Sequence, residues 1–168
     1  KEGKWIEYYD SGLQMSEITY ENGVGFFISY YESGNILANG KYVDYKKEDK
    51  WIYYYENGKK SEEYYYINDF FNPNKKYITW YENGYKKNEG YIIYLDEEVV
   101  HDGYYTEYYD NGIVFSEGNY LIGNKDGIWK EYYITRILSV EKKFNNGIPD
   151  GEWIFYNEIG DILKIERY

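Results

Sequence analysis

Aromatic and polar positions alternate along this chain in a short phrase that keeps returning. In "WIYYYENGKKSEEYYY", Trp51 to Tyr66, an aromatic-rich run leads into Glu-Asn-Gly and a second alternating run. Related phrases begin at Trp5, Tyr105 and Trp129. Period-two alternation broken by Asn-Gly or Ser-Gly predicts a β-hairpin with a tight turn, because Gly and Asn reach positive φ at little cost. Helix competes poorly where Gly and the β-favouring Tyr, Trp and Ile recur this closely.

Taking the aromatic that opens each unit as a marker gives Trp5, Phe27, Trp51, Tyr77, Tyr105, Trp129 and Trp153. Three residues on stand Tyr8, Tyr30, Tyr54, Trp80, Tyr108, Tyr132 and Tyr156, followed by Tyr in every unit but the last. Seven residues after the opener comes Gly in all units except the sixth, which has Arg136. Fifteen after it stands Tyr20, Tyr42, Tyr66, Ile92, Tyr120, Phe144 or Tyr168. A match repeated at so many offsets is the signature of a repeat array. The expected fold is all-β: an elongated, twisted antiparallel meander of seven tandem hairpins, about fourteen strands. The whole of 1–168 reads as one array, with units near 3–24, 25–48, 49–74, 75–102, 103–126, 127–150 and 151–168.

The openers are 22, 24, 26, 28, 24 and 24 residues apart, and every spacing is even. A strand exchanges its faces with each residue, so an odd insertion would turn a hairpin inside out. With Asn57-Gly58 as a two-residue loop, Trp51 lies opposite Tyr64 and Ile52 opposite Glu63; a three-residue turn with a bulge would shift this by one. The same register sets Gly3, Gly25, Gly103, Gly127 and Gly151 against Tyr20, Tyr42, Tyr120, Phe144 and Tyr168, a ring covering a strand glycine. One face then carries the openers, the second Tyr of each pair and the closing aromatics, and is the packed or binding face. The other, more solvated, carries Ile6, Ile28, Ile52, Ile78 and Ile154 with Glu17, Glu63, Glu89, Glu117 and Glu141.

"GKWIEYYDSG", "DKWIYYYENGKKSEEY" and "DGEWIFYNEIG" resemble the MORN-repeat variant that occurs in tandem in bacterial proteins, over essentially the whole chain. The resemblance implies stacked hairpins and leaves activity open. Bacterial members of this type include antitoxin-like, secreted and surface proteins; eukaryotic relatives serve as scaffolds and lipid-associated adaptors. The fourth unit (Tyr77, Trp80) and the sixth (Arg136) depart most from the pattern, and local irregularity is expected there. Choline- and glucan-binding repeats share the Trp, Tyr-Tyr and Gly pattern over about twenty residues and are the second resemblance, although they place Trp and Tyr adjacent.

Composition narrows the partner. The chain has 27 Tyr, no Cys and a formal charge of −11, with a mean hydropathy of −0.84. A thick aliphatic core is not expected; Tyr suits a thin sheet whose faces are half wet. The charge argues against nucleic acid or an anionic membrane as the main partner, and the absence of Cys excludes disulfides and thiolate metal sites. The opening "KEGKW" lies inside the first unit and reads as a chain trimmed from a longer protein, so the compartment stays open, with a secreted or cell-surface setting favoured over a cytoplasmic one.

No catalytic constellation stands out, and no enzyme, cofactor or metal is expected. His101, the lone histidine, reads as a solvated loop residue. Asp96, Glu97, Glu98 and Asp102 read as a solvated acidic loop, since they lack the spacing of a calcium loop. The repeated Glu residues read as a solvated ladder that discourages edge pairing. The expected function is non-enzymatic binding of a protein partner on the aromatic face, with Trp51, Tyr55, Tyr77, Tyr81, Tyr105 and Tyr109 of the middle units as the binding residues. The alternative is a carbohydrate- or choline-binding cell-wall module. Edge-to-edge association of copies is expected from bare outer strands.

Overall fold

The computed structural model describes residues 2–168, and the chain divides into two compact units, Lys1–Gly84 and Tyr85–Tyr168. The first holds β1 (Gly3–Tyr8), β2 (Gln14–Glu21), β3 (Val24–Tyr30), β4 (Ile36–Val43), β5 (Lys46–Tyr54), β6 (Lys60–Ile67), β7 (Phe70–Phe71) and β8 (Tyr77–Trp80). The second begins with β9 (Lys86–Gly90), β10 (Ile92–Leu95), β11 (Glu98–His101), β12 (Gly103–Tyr108) and β13 (Val114–Leu121). It continues with β14 (Asn124–Tyr132), β15 (Leu138–Asn145), β16 (Ile148–Pro149), β17 (Glu152–Tyr156) and β18 (Ile162–Arg167). The fold is all-β and antiparallel, and the described residues contain no helix. Twelve of these strands are the paired arms of the six expected hairpins contained in one unit, and β8 and β9 stand where the arms of the fourth are expected; β7, β16 and the β10–β11 hairpin are additions carried in the connections.

The turn inside each hairpin differs from the expected one. Tyr55 N–H donates to Lys59 at 2.8 Å and Gly58 N–H to Tyr55 at 2.9 Å, with Gly58 at φ +80°. That is a three-residue loop closed by a left-handed glycine. It sets Tyr54 against Lys60, one residue out of the expected register. The ladder then slips back, because Ser61 has no partner, and Trp51 pairs with Tyr64 and Ile52 with Glu63 as expected. Met15, Leu37, Phe115, Ser139 and Leu163 occupy the same skipped position in the other hairpins contained in one unit. Turn and bulge cancel, so the register is right although the turn is not.

Arg136 does not disturb its hairpin. It takes φ +71° and its N–H donates to Tyr133 at 2.8 Å, reproducing the glycine geometry at a steric cost. Two-residue turns do occur, but between hairpins: Asn22-Gly23, Asp44-Tyr45, Asn68-Asp69, Asp96-Glu97, Ile122-Gly123 and Asn146-Gly147 each have positive φ at both positions, the type I′ form that suits strand twist.

These connections account for the spacing of 22 and for the spacings of 24 before Trp51 and Trp129. Between β2 and β3 the ladder is unbroken from Ser16↔Ser29 to Glu21↔Val24, and the openers are 22 apart. Between β4 and β5, Asn39 pairs with Ile52 but Lys41 with Glu48, so Gly40 alone faces Asp49, Lys50 and Trp51. Gly118 likewise faces three residues of β14. Each bulge holds two surplus residues and leaves the faces unchanged.

Candidate binding face

Ring contacts place openers and closing aromatics together on one face, built separately in each unit. In the first, Trp51 meets Phe27 at 5.5 Å, Tyr42 at 5.0 Å and Tyr66 at 6.3 Å between centroids. In the second, Trp129 meets Tyr105 at 6.1 Å and Tyr120 at 4.9 Å. Trp51 and Trp129 are the fully buried large side chains, each 1% exposed. The bulge makes this possible by laying the indole on the glycine across the ladder. A Cβ at Gly40 would sit 2.2 Å from the Trp51 ring, and one at Gly118 2.4 Å from that of Trp129. The indole N–H groups donate to Lys41 (3.2 Å) and Asn119 (2.8 Å) carbonyls, so burial leaves no orphan donor.

The six middle-unit aromatics expected to bind do not form one exposed set. Trp51 and Tyr77 are buried and act as core; Tyr55, Tyr81, Tyr105 and Tyr109 are half-buried. Tyr55 Oη donates to the Trp80 carbonyl, and Tyr109 Oη to that of Tyr132 at 2.8 Å. Tyr9, Tyr31 and Tyr133 make the same bond to Tyr30, Tyr54 and Tyr156 at 2.7, 2.6 and 2.7 Å. In these five hairpins the second Tyr of the pair therefore stitches its hairpin to the next one. Removing Tyr109 would weaken the array as well as any contact surface.

The sequence reading missed the residues that cover the openers. Opposite each closing residue, across the ladder to the following hairpin, stand Lys47 (against Tyr42), Phe71 (Tyr66), His101 (Ile92), Lys125 (Tyr120) and Pro149 (Phe144). Lys47 Nζ lies 4.4 Å from the Trp51 centroid and 5.1 Å from that of Tyr66, and donates to Tyr53 Oη at 3.0 Å. Lys125 Nζ lies 4.1 Å from the Trp129 centroid. Its burial pushes it below the usual lysine range, against the opposing pull of Glu131 and Glu107. These are ammonium groups held on ring faces. His101 is not a solvated loop residue: it ends β11, half-buried, with its ring 5.0 Å from Tyr105 and 4.9 Å from Tyr120. Burial holds its pKa below the usual histidine range, although a backbone hydrogen bond with Tyr91 opposes the shift. A signal was available, since both lysines stand four residues before a Trp opener.

At one place this cover is absent. The residue opposite Tyr20 is Gly25, which brings no side chain over Phe27. A cavity of about 290 Å³ opens there, lined by Trp5, Glu7, Ser16, Ile18, Tyr20, Phe27, Tyr42 and Tyr45. Trp5 is 40% and Tyr45 57% exposed. Glu7 accepts a hydrogen bond from Ser16 Oγ at 2.8 Å, which places a carboxylate in the wall of an aromatic pocket. A larger hollow of about 360 Å³, beside Glu117, Tyr132 and Arg136, lies along the hairpin turns. Similar hollows recur beside Gly34, which marks them as grooves of the repeat and not as a single site.

The opposite face is less solvated than expected. Glu63 is buried, held by Lys50 and Lys60 at 2.9 Å each and by Tyr65 Oη at 3.2 Å. Burial alone would raise its pKa, but the two lysines outweigh it and hold the carboxyl below its ordinary value. Glu117 accepts from Tyr104 and Tyr132, both at 2.7 Å. These glutamates organise polar side chains along the sheet. The acidic segment after Leu95 is likewise structured: Asp96-Glu97 is a type I′ turn, and Asp102 accepts the Ile122 N–H at 2.9 Å. Among the described residues no group of three or more His, Asp or Glu is gathered as a metal site.

The family model described as the MORN repeat variant matches residues 1–22, 50–68 and 102–121. Those stretches fall on the first, third and fifth hairpins. No curated protein matches the chain.

Proposed function

We propose that this chain, whose hairpins include MORN-variant repeats, is a non-enzymatic scaffold that docks a protein partner on its aromatic face. The observation that carries the proposal is the uncovered cavity between Tyr20 and Tyr42, with Trp5 and Tyr45 exposed at its margin. Exposed aromatic rings around a concavity on a rigid sheet suit an interface anchor, where a buried ring contributes about 2 kcal/mol or more. The contact is centred on the first two hairpins, since the openers Trp51, Tyr105 and Trp129 are covered by Lys47, His101 and Lys125. The test is a photo-crosslinking residue in place of Tyr45, with Ile128 on the second unit as control position. Crosslinking of one defined protein from position 45, lost in Phe27→Leu, supports the reading. Equal crosslinking from both positions, or none from position 45, refutes it.

A further inference from the structure

We infer that the cavity over Phe27 receives a lysine side chain from a basic segment of the docked partner; this rests on the docking reading above. In the third and sixth hairpins the equivalent place is filled by the chain's own ammonium groups, Lys47 over Trp51 and Lys125 over Trp129. Both enter from the residue opposite the closing aromatic. In the second hairpin that residue is Gly25, and the place between Tyr20 and Tyr42 receives no side chain from it.

The wall supplies the charge that a guest cation needs. Lys47 Nζ donates a hydrogen bond to the Tyr53 hydroxyl, two residues after its opener. The second hairpin has Ser29 at that offset, and the carboxylate that lines the empty place is Glu7 of the neighbouring first hairpin. An ammonium there would meet aromatic faces and one carboxylate, a stronger combination than rings alone. The formal charge of −11 favours the approach of a basic segment over an acidic one.

The experiment measures binding of an oligolysine peptide to the full chain by calorimetry, alongside the same peptide acetylated and trimethylated on its lysines. Trimethylation keeps the charge and favours an aromatic site, so binding at least as tight as the parent is expected, whereas acetylation abolishes it. Glu7→Gln and Phe27→Leu, each checked for intact circular dichroism, weaken binding by roughly three- to tenfold, in keeping with a cation held on rings. Glu158→Gln, on an exposed turn of the second unit, leaves it within about twofold. Equal losses from Glu7→Gln and Glu158→Gln would reduce the binding to general charge attraction and overturn the assignment. So would undiminished binding of the acetylated peptide, or tetramethylammonium binding as tightly as the peptide. If position 45 crosslinks a partner that oligolysine neither binds beside nor displaces, the lysine assignment fails and the docking reading stands. If oligolysine binds with the stated sensitivities and position 45 crosslinks nothing, the docking reading fails and the cation site stands.

Discussion

Gly40→Ala adds one methyl group to a strand and should cost more than most core truncations of that size. Gly40 does not need positive φ, so the backbone accepts alanine and gains about 0.5–1 kcal/mol from lower unfolded-state entropy. Against this, the new Cβ would lie 2.2 and 2.3 Å from two atoms of the Trp51 ring, where contacts normally begin near about 3.5 Å. The ring has nowhere to go: it is 1% exposed, flanked by Phe27, Tyr42 and Tyr66. Moving it strains the core by about 1–3 kcal/mol and breaks the indole bond to Lys41, worth about 1 kcal/mol. The net expectation is a loss of about 2 kcal/mol. In a Trp51→Val background, itself less stable by about 3 kcal/mol, the same Gly40→Ala change becomes neutral or stabilising. The coupling in the double-mutant cycle is therefore about 2–3 kcal/mol. Urea unfolding followed by circular dichroism measures all four proteins, with Gly118 and Trp129 as the second-unit replica. The ring-on-glycine account is refuted if Gly40→Ala lies within about 0.5 kcal/mol of wild type, or costs the same in both backgrounds.

Three further outcomes follow from the same geometry. Arg136→Gly relieves a left-handed non-glycine residue, so stability should rise by up to about 1 kcal/mol in thermal unfolding; a fall would show that the arginine side chain contributes more than its backbone costs. One alanine inserted between Asp49 and Lys50 should turn Trp51 to the wrong face and sharply raise protease sensitivity, whereas two alanines only enlarge an existing bulge; equal sensitivity would show that parity is irrelevant. Tyr104 and Tyr108 are pushed up to about 12, first by burial and then by the neighbouring Glu117 and Glu89. Their contribution is therefore complete below the unfolded value of about 10 and is lost as pH rises from there through about 12; the urea midpoint should fall across that window, less steeply in Tyr104→Phe, and an unchanged slope in that variant would contradict the assignment.

The hairpins and their common faces were legible in the sequence because a period of two and a repeated turn glycine act locally. The turn type was not, because Asn57-Gly58 is compatible with a two-residue or a three-residue loop. The bulge that restores register leaves no mark either: Met15, Leu37, Ser61 and Phe115 share no chemistry, since the skipped residue is set by backbone pairing. Burial of the middle aromatics was missed for a different reason. Whether a ring is covered depends on the residue across the ladder, and Lys47, Phe71, His101 and Gly25 resemble surface or linker residues until the strands are paired. The surplus glycines Gly40 and Gly118 were visible in the chain, but their purpose appears only once the bulge lays Trp51 and Trp129 upon them.

The two-residue bulge also bears on how such a gene can change length. A single added codon preserves translation yet inverts every side chain beyond it, so the sheet imposes a second reading frame upon the codon frame. Codons gained or lost in pairs between hairpins are silent in that frame, because the excess is extruded where Gly40 or Gly118 leaves room. Length drift and unequal crossing-over should accordingly survive in steps of two residues. The openers here, 22 to 28 residues apart, all differ by even steps.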